Sequence, residues 1–180
     1  MKNYKKTKIG ILGGSFDPAH KGHLIISKIA IRKEKLKKIY WIVTKKNPFK
    51  KKSFFSLRER LNYARSLVKN LRKIKVLYLE DKVKSSRSID VVNYILKKKK
   101  PKNLYFIVGS DILLELHRWK SWKKIVKLTK LIVFSRRGYD RKSKNTIVSN
   151  YLDKNKITYI KNKPIKISST VLRKKMKRIN

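Results

Sequence analysis

The sequence has 180 residues, 41% of them hydrophobic, which suits one domain of ordinary size, residues 1–180, with a buried core. It contains no apolar run near the roughly 20 residues that a membrane-spanning helix requires, and its start lacks the apolar core of a signal peptide. The absence of cysteine excludes disulfides, thiolate metal sites and a cysteine nucleophile. We therefore expect a cytoplasmic protein without membrane partners, whose oligomeric state the sequence leaves open.

The chain carries 52 lysine and arginine residues against 10 acidic residues, a formal net charge of +42. Clustered basic residues are typical of proteins that bind nucleic acid, because they neutralise phosphates. Here basic residues are spread over nearly every loop and helix, as at residues 50–52, 97–100 and 173–175. We favour a compositional bias over a specific nucleic-acid site, and we expect the positive field to attract an anionic substrate.

Short apolar runs alternate with segments of helical periodicity along the chain. The apolar runs predict six strands, at residues 8–12, 39–43, 74–79, 104–108, 131–134 and 157–160. The periodic segments predict helices at residues 22–36, 56–69, 88–98, 147–152 and 168–176, with one or two short helices within 111–126. Loops are predicted at residues 45–55 and 136–144, and a turn at Gly13 and Gly14. Ser56 and Glu59 match a capping box at the start of the second helix.

The alternation of strands and helices predicts an α/β fold, a Rossmann-like doubly wound parallel sheet in three α/β/α layers. Such a sheet binds its ligand beyond the carboxyl ends of the strands, where the strand order reverses. Candidate functional residues should therefore lie just after strands.

Residues 13–23, between the first strand and the first helix, read Gly-Gly-Ser-Phe-Asp-Pro-Ala-His-Lys-Gly-His. The two leading glycines let the backbone approach a phosphate, and the N-terminus of the following helix offers free N–H groups. His20 and His23 are three residues apart and face the same way on a helix, with the small Gly22 between them. The stretch lacks the Walker A and Gly-x-Gly-x-x-Gly patterns. It predicts a phosphate-binding strand–turn–helix; a metal site on the two histidines and a plain structural turn are the alternatives.

From Gly14 to His23 the residues resemble the Gly-x-Phe-x-Pro-x-His-x-Gly-His signature of the nucleotidylyltransferase superfamily. Further segments resemble bacterial nicotinate mononucleotide adenylyltransferases, so that the similarity runs from Lys8 to about Met176. They are Asn-Pro-Phe-Lys at residues 47–50, Gly-Ser-Asp at 109–111, His-Arg-Trp at 117–119 with Trp122, Ser-Arg-Arg-Gly-Tyr at 135–139, and Ile-Ser-Ser-Thr-Val-Leu-Arg at 167–173. The resemblance implies transfer of AMP from ATP to nicotinate mononucleotide, which yields nicotinate adenine dinucleotide for NAD biosynthesis and releases pyrophosphate.

The resemblance also implies the site residues. The implied catalytic residues are His20, His23, Lys50 and Arg173. The implied ATP-binding residues are Gly13, Gly14, Ser15, Phe16, His20, His23, Gly109, Asp111, Arg136, Ser168, Ser169, Thr170 and Arg173. The implied contacts to the nicotinate nucleotide are Asp17, Lys50, Ser88 and Trp119. No protein ligand for a metal is implied, because Mg²⁺ would arrive with ATP, which suits a chain with so few acidic residues.

Individual side chains allow other interpretations. Residues 168–170 can cradle a phosphate or simply cap a C-terminal helix. Trp119 can stack on a planar pyridine or fill the core, and Asp111 can accept from a ribose hydroxyl or cap the next helix.

The acceptor pocket departs from the family pattern. Where the family carries Tyr-Thr-x-x-Thr, this chain has Arg-Ser-Ile-Asp-Val at residues 87–91, so that Ser88 keeps one hydroxyl and Val91 loses the other. Arg137 replaces a proline. A relative that uses nicotinamide mononucleotide or phosphopantetheine, and a basic nucleic-acid-binding protein, are the alternative functions; phosphopantetheine enzymes usually carry threonine where His20 stands.

Overall fold

A computed structural model of the chain describes residues 7–45, 53–163 and 167–176. Its strands are β1 (Lys8–Gly14), β2 (Lys38–Val43), β3 (Ile74–Leu77), β4 (Asn103–Gly109), β5 (Lys130–Phe134) and β6 (Ile157–Ile160). They form one parallel sheet in the order β3-β2-β1-β4-β5-β6. Because the order reverses between β1 and β4, the predicted doubly wound, Rossmann-like fold is confirmed.

Helices connect the strands and cover both faces of the sheet. They are α1 (Lys21–Glu34), α2 (Leu57–Leu67), α3 (Glu80–Val83), α4 (Ser88–Lys99), α5 (Ser110–Glu115), α6 (Trp122–Leu128), α7 (Asp140–Ser143), α8 (Ile147–Tyr151) and α9 (Ser169–Met176). One apolar core packs α4, α5, α6 and α8 on one face, and a second packs α1 and α2 on the other. In the part of the chain that the structure describes, no helix is long and apolar enough to cross a membrane.

The central strands are buried on both faces, which explains why they are almost continuously apolar in sequence. Gly10 of β1 shows how closely the layers approach. A Cβ atom there would lie 3.0 Å from side-chain carbons of both Ile39 and Leu36. A glycine at this position therefore lets the connection between α1 and β2 pack directly onto the sheet.

The second helix begins as predicted. Ser56 Oγ accepts from the Glu59 N–H at 3.3 Å, and Glu59 Oε2 accepts from the Ser56 N–H at 2.8 Å, which confirms the capping box. The hydrogen bonds from Ser56 lower the pKa of the Glu59 carboxyl.

Three details differ from the sequence prediction. Gly13 and Gly14 do not form a turn, because they pair in register with Ile42 and Val43 and extend β1. The predicted loop at residues 136–144 contains the single-turn helix α7, and another single turn, α3, follows β3. Helices of four residues are too short to show a 3.6-residue periodicity, so the pattern could not reveal them.

Candidate active site

The two histidines of residues 13–23 cap helix α1 with their rings. The Gly22 N–H donates to Nδ1 of His20 at 3.1 Å, and the His20 N–H donates to Nδ1 of His23 at 3.1 Å. An imidazole nitrogen that accepts a hydrogen bond carries no proton, so each neutral ring holds its proton on Nε2. The ring centroids lie 3.9 Å apart. The backbone of the helix start therefore fixes both rings as Nε2–H donors.

His20 is held neutral by its surroundings. The side chain is 8% exposed, and its burial, followed by the positive charge of Arg136, lowers its pKa from 6.5 to about 4. A neutral ring keeps the Nδ1 lone pair that caps the helix. His20 therefore offers a neutral N–H donor at physiological pH.

The Phe16 ring packs against the His23 ring. Its backbone has a φ of 46°, in the left-handed region that non-glycine residues rarely adopt, and its side chain is 2% exposed. The ring stacks on Trp41 at 5.1 Å and lies 4.8 Å from His23. The predicted contact of Phe16 with ATP stays a prediction; its side chain belongs to the core under His23.

Asp17 ties the same loop to the segment before α2. Its carboxylate is almost buried and accepts from the N–H groups of Phe54 and Phe55, at 2.8 and 2.9 Å. These contacts use both carboxylate oxygens for backbone donors. The predicted contact of Asp17 with the acceptor nucleotide stays a prediction. In this structure the Asp17 carboxylate holds the loop against the segment before α2.

Helix α9 docks onto the loop from the far end of the chain. Ser168 Oγ accepts from the Val171 N–H at 3.2 Å, so Ser168 caps the helix as predicted. Ser169 Oγ donates to the carbonyl oxygen of Pro18 at 2.9 Å, and Arg173 donates from Nη1 to the carbonyl oxygen of Asp17. The two segments that the sequence placed in the ATP site are therefore in direct contact.

The carboxyl ends of β4 and β5 contribute a third group of predicted residues. Arg136 pairs with Asp111, with 3.2 Å between Nη1 and Oδ2. The other carboxylate oxygen, Oδ1, is buried without a hydrogen-bond partner in the described part of the structure. A Cβ at Gly109 would lie 2.4 Å from this oxygen, so glycine is what lets the carboxylate fold back over the strand end. An unpartnered acceptor of this kind suits a ligand hydroxyl.

Asp140 holds this group together, and sequence reasoning missed it. Its carboxylate accepts from Ser110 Oγ at 2.9 Å, from the Arg136 N–H at 2.9 Å and from Ser135 Oγ. The hydrogen bond from Ser135 contributes most to lowering the pKa of Asp140. The sequence signal was weak, because the aspartate lies in a segment predicted as loop.

Arg60 is the second residue that sequence reasoning missed. It lies on α2, is 2% exposed, and donates to backbone carbonyl oxygens of four residues, Ser15, Thr44, Lys45 and Phe55. In a chain with 52 basic residues, nothing in the sequence distinguishes this arginine from the exposed ones.

Two of the remaining predicted residues lie in other parts of the fold. Trp119 is half-buried and packs edge-on against Phe106 with 6.1 Å between ring centroids, while Ser88 is the first residue of α4. Lys50 lies outside the described residues. Over residues 7–45, 53–163 and 167–176, no three His, Asp or Glu side chains are grouped as metal ligands would be.

The fold, the paired imidazole donors and the docked α9 define a nucleotidylyltransferase-like chain, and residues 11–175 match the cytidylyltransferase-like family. Individual curated relatives give a more specific match than this broad family. A protein of Pelagibacter ubique named probable nicotinate-nucleotide adenylyltransferase is 48% identical over 172 residues, covering 96% of this chain and 95% of that protein. A protein of Nitratiruptor with the same name is 37% identical over 133 residues, covering 73% of this chain and 75% of that one.

The chain therefore belongs to the nicotinate-nucleotide adenylyltransferase family. Among solved structures, the nicotinic acid mononucleotide adenylyltransferase of Plasmodium falciparum, complexed with NaAD, superposes with a TM-score of 0.74. The superposition covers 93% of this chain and 83% of that one at 21% identity, which supports the fold.

Proposed function

We propose that this chain transfers the adenylyl group of ATP to nicotinate mononucleotide, forming nicotinate adenine dinucleotide and pyrophosphate. The observation that carries the proposal is the pair His20 and His23 in the segment that follows β1. Nδ1 of each ring accepts a backbone hydrogen bond at the start of α1, which puts the proton of each neutral ring on Nε2. The carboxyl end of β1 is at the edge at which a doubly wound sheet binds nucleotides. The proposed reaction belongs to NAD biosynthesis, and the relatives of Pelagibacter ubique and Nitratiruptor are named probable nicotinate-nucleotide adenylyltransferases.

In the proposed step, an oxygen of the acceptor's 5′-phosphate attacks the α-phosphorus of ATP. A new phosphorus–oxygen bond forms, the bond from the α-phosphorus to the oxygen bridging to the β-phosphate breaks, and pyrophosphate leaves. The second pKa of a phosphate monoester is about 6, so the nucleophile is already ionised at neutral pH. No general base or covalent intermediate is needed. The work of the protein is to align the reactants and stabilise the charge that develops.

The residues at the sheet edge divide this work. His20 and His23 would donate hydrogen bonds from Nε2–H to ATP phosphates. A neutral ring is sufficient for this role. Arg173, together with Lys50, would hold the β- and γ-phosphates, with backbone contacts from Gly13, Gly14 and Ser15. The unpartnered Oδ1 of Asp111 would accept from a ribose hydroxyl.

For the rest of the triphosphate site, we propose contacts from Phe16, Gly109, Arg136 and residues 168–170. For the acceptor, we propose contacts from Asp17, Lys50, Ser88 and Trp119, with the Trp119 ring against the pyridine.

We further propose that Mg²⁺ enters with ATP. Such an ion is held mainly by phosphate oxygens and water, with few protein ligands. When bound, such an ion neutralises phosphate charge. Because ATP is an intracellular metabolite, we also propose that the protein acts in the cytoplasm.

A pyrophosphate-release assay tests the proposal. The purified protein would receive ATP and Mg²⁺ with nicotinate mononucleotide, nicotinamide mononucleotide or phosphopantetheine in separate reactions. We expect the highest kcat/KM with nicotinate mononucleotide. Release with phosphopantetheine alone, or with none of the three, would refute the proposed function, and a preference for nicotinamide mononucleotide would correct the acceptor.

A control at varied ionic strength addresses the net charge of +42. A nucleic-acid-binding protein would bind DNA or RNA with an affinity that falls steeply with salt, and it would release no pyrophosphate. We expect turnover to persist at salt concentrations that abolish such binding.

A further inference from the structure

The buried guanidinium of Arg60 joins three segments of the candidate active site. Nη1 donates at 2.7 Å to the carbonyl oxygens of both Ser15 and Thr44. Nη2 donates at 2.9 Å to Lys45, and Nε donates at 3.2 Å to Phe55. These acceptors belong to the loop after β1, the end of β2 and the turn before α2. One side chain thus fixes the relative positions of three backbone segments.

Burying a charge of this kind is costly, since a desolvated ion loses its favourable interactions with water. Burial lowers the pKa of Arg60, while the nearby carboxylates of Asp17 and Glu80 raise it. An arginine nevertheless stays charged at neutral pH, because its pKa lies far above this range even when burial lowers it. An apolar residue would fill the same space without this cost, so the hydrogen bonds that only a guanidinium can make are what distinguish Arg60.

Asp17 binds the same turn before α2 that Arg60 binds. Its carboxylate accepts from the N–H groups of Phe54 and Phe55, while Arg60 binds the carbonyl oxygen of Phe55. Asp17 and Arg60 therefore hold the same turn through opposite charges. Lys45 is fixed similarly, because its N–H donates to Glu80 Oε1 at 2.9 Å and its carbonyl oxygen binds Arg60.

The contact at Ser15 connects Arg60 to the histidines. Ser15 directly precedes Phe16, whose φ of 46° is an unfavourable backbone conformation that the surroundings must maintain. The Phe16 ring lies against His23, 4.8 Å between centroids. A shift of the Ser15 carbonyl would therefore be transmitted through Phe16 to the plane of the His23 ring.

We propose that Arg60 is a positioning residue for adenylyl transfer, which acts through the Ser15 carbonyl and Phe16 to fix the His23 donor. The proposal rests on the proposed function. Lysine cannot replace it, because an ammonium group presents its donors from one nitrogen and cannot span four carbonyl oxygens in three segments. The expected defect lies in the chemical step, since His23 is assigned to the charge that develops there.

The test compares R60K and R60M with R58K and R58M. Arg58 is exposed on the same helix and serves as the matched control. We expect R60K and R60M to lower kcat by about tenfold or more while KM for nicotinate mononucleotide changes by less than about threefold. The Arg58 variants should keep wild-type kcat and KM. Thermal unfolding of each variant identifies the temperature range in which the proteins are folded, and kcat is compared there.

A double-mutant cycle with His23→Asn separates positioning from general destabilisation. If Arg60 acts through His23, R60K should cost less than about threefold in kcat once His23 is replaced. Equal costs in the two backgrounds would overturn the proposal. So would a kcat within about threefold of wild type in the folded Arg60 variants, or failure of both variants to fold, which would give Arg60 a purely structural role.

Imidazole ¹⁵N spectra give a readout independent of turnover. The chain contains three histidines, so the signals of His23 can be assigned by their loss in the His23→Asn variant. We expect R60K, but not R58K, to shift the His23 Nδ1 and Nε2 signals; unchanged signals would overturn the proposal. An inactive wild-type protein would refute the proposed function instead, and the spectra would still decide whether Arg60 positions His23.

Discussion

Arg173 on the last helix donates to the carbonyl oxygen of Asp17 in the first loop, 156 residues earlier in the chain. The same guanidinium lies 3.7 Å from the Asp17 carboxylate, and its Nη2 donates to Thr170 Oγ1 at 3.1 Å. The two ends of the chain are therefore joined at the proposed triphosphate site. Because the Arg173 side chain is only 27% exposed, the contact is partly shielded from solvent and from screening by salt.

Arg173→Met should weaken both the contact between α9 and the Asp17 loop and the binding of ATP. The variant leaves the Asp17 carbonyl oxygen without its donor and removes a positive charge from the proposed phosphate site, so we expect KM for ATP to rise by about tenfold or more. Its melting temperature should also fall. Lys174→Met, an exposed neighbour on the same helix, is the control and should change neither quantity. An unchanged KM for ATP in folded Arg173→Met would remove Arg173 from the site.

Asp140 should act on ATP binding through Arg136. In Asp140→Asn the side chain keeps its size but replaces one acceptor oxygen by a donor, so the hydrogen bonds from Ser110, Ser135 and the Arg136 N–H cannot all be retained. We expect KM for ATP to rise several-fold, about threefold to tenfold, with a smaller change in KM for the acceptor.

The control for Asp140 is Asp153→Asn, because Asp153 is exposed and makes no side-chain capping bond. It should behave as wild type in both kinetic constants. If Asp140→Asn and Asp153→Asn gave the same KM for ATP, Asp140 would have no part in positioning Arg136.

The fold class was predictable from the sequence because buried parallel strands must be apolar, and their alternation with helices predicts a parallel sheet covered on both faces. The segment at residues 13–23 that leads from β1 into α1 and the cap at Ser168 were predictable because the required residue types follow one another closely, although Gly13 and Gly14 extend β1 rather than forming a turn. The roles of Arg60 and Asp140 were not predictable, since Arg60 binds Ser15, 45 residues earlier, and Asp140 joins its own loop to Ser110, 30 residues earlier. Asp17 illustrates the same limit, because its carboxylate binds Phe54 and Phe55, 37 and 38 residues away.

The stability of the protein should depend on the protonation of His20. Its pKa is about 4 in the folded chain against 6.5 in the reference state, so between these values the unfolded chain binds a proton that the folded chain does not. The contribution of His20 to the free energy of unfolding is therefore fully present above pH 6.5 and is lost progressively as the pH falls toward 4.

The comparison that isolates this effect is the wild-type protein against His20→Asn, in which asparagine can still cap α1 without titrating. Carboxylates such as Glu59 and Asp140 titrate in both proteins and cancel in the difference. Urea unfolding at several pH values should show the difference in unfolding free energy moving against the wild type as the pH is lowered from 7.5 to 4.5. A difference that is constant across this range would contradict the depressed pKa of His20.

His23 gives the most direct test of catalysis, because the capping role of its ring can be separated from its donor role. In His23→Asn the side-chain amide can still accept from the His20 N–H, but it does not reach the position of Nε2. We expect kcat to fall by about a hundredfold or more, as when one preorganised donor to a developing charge is removed, with a nearly unchanged melting temperature. His23→Gln, whose longer amide can place an N–H near the Nε2 position, should recover part of the loss. Near wild-type turnover in folded His23→Asn would remove His23 from the proposed mechanism.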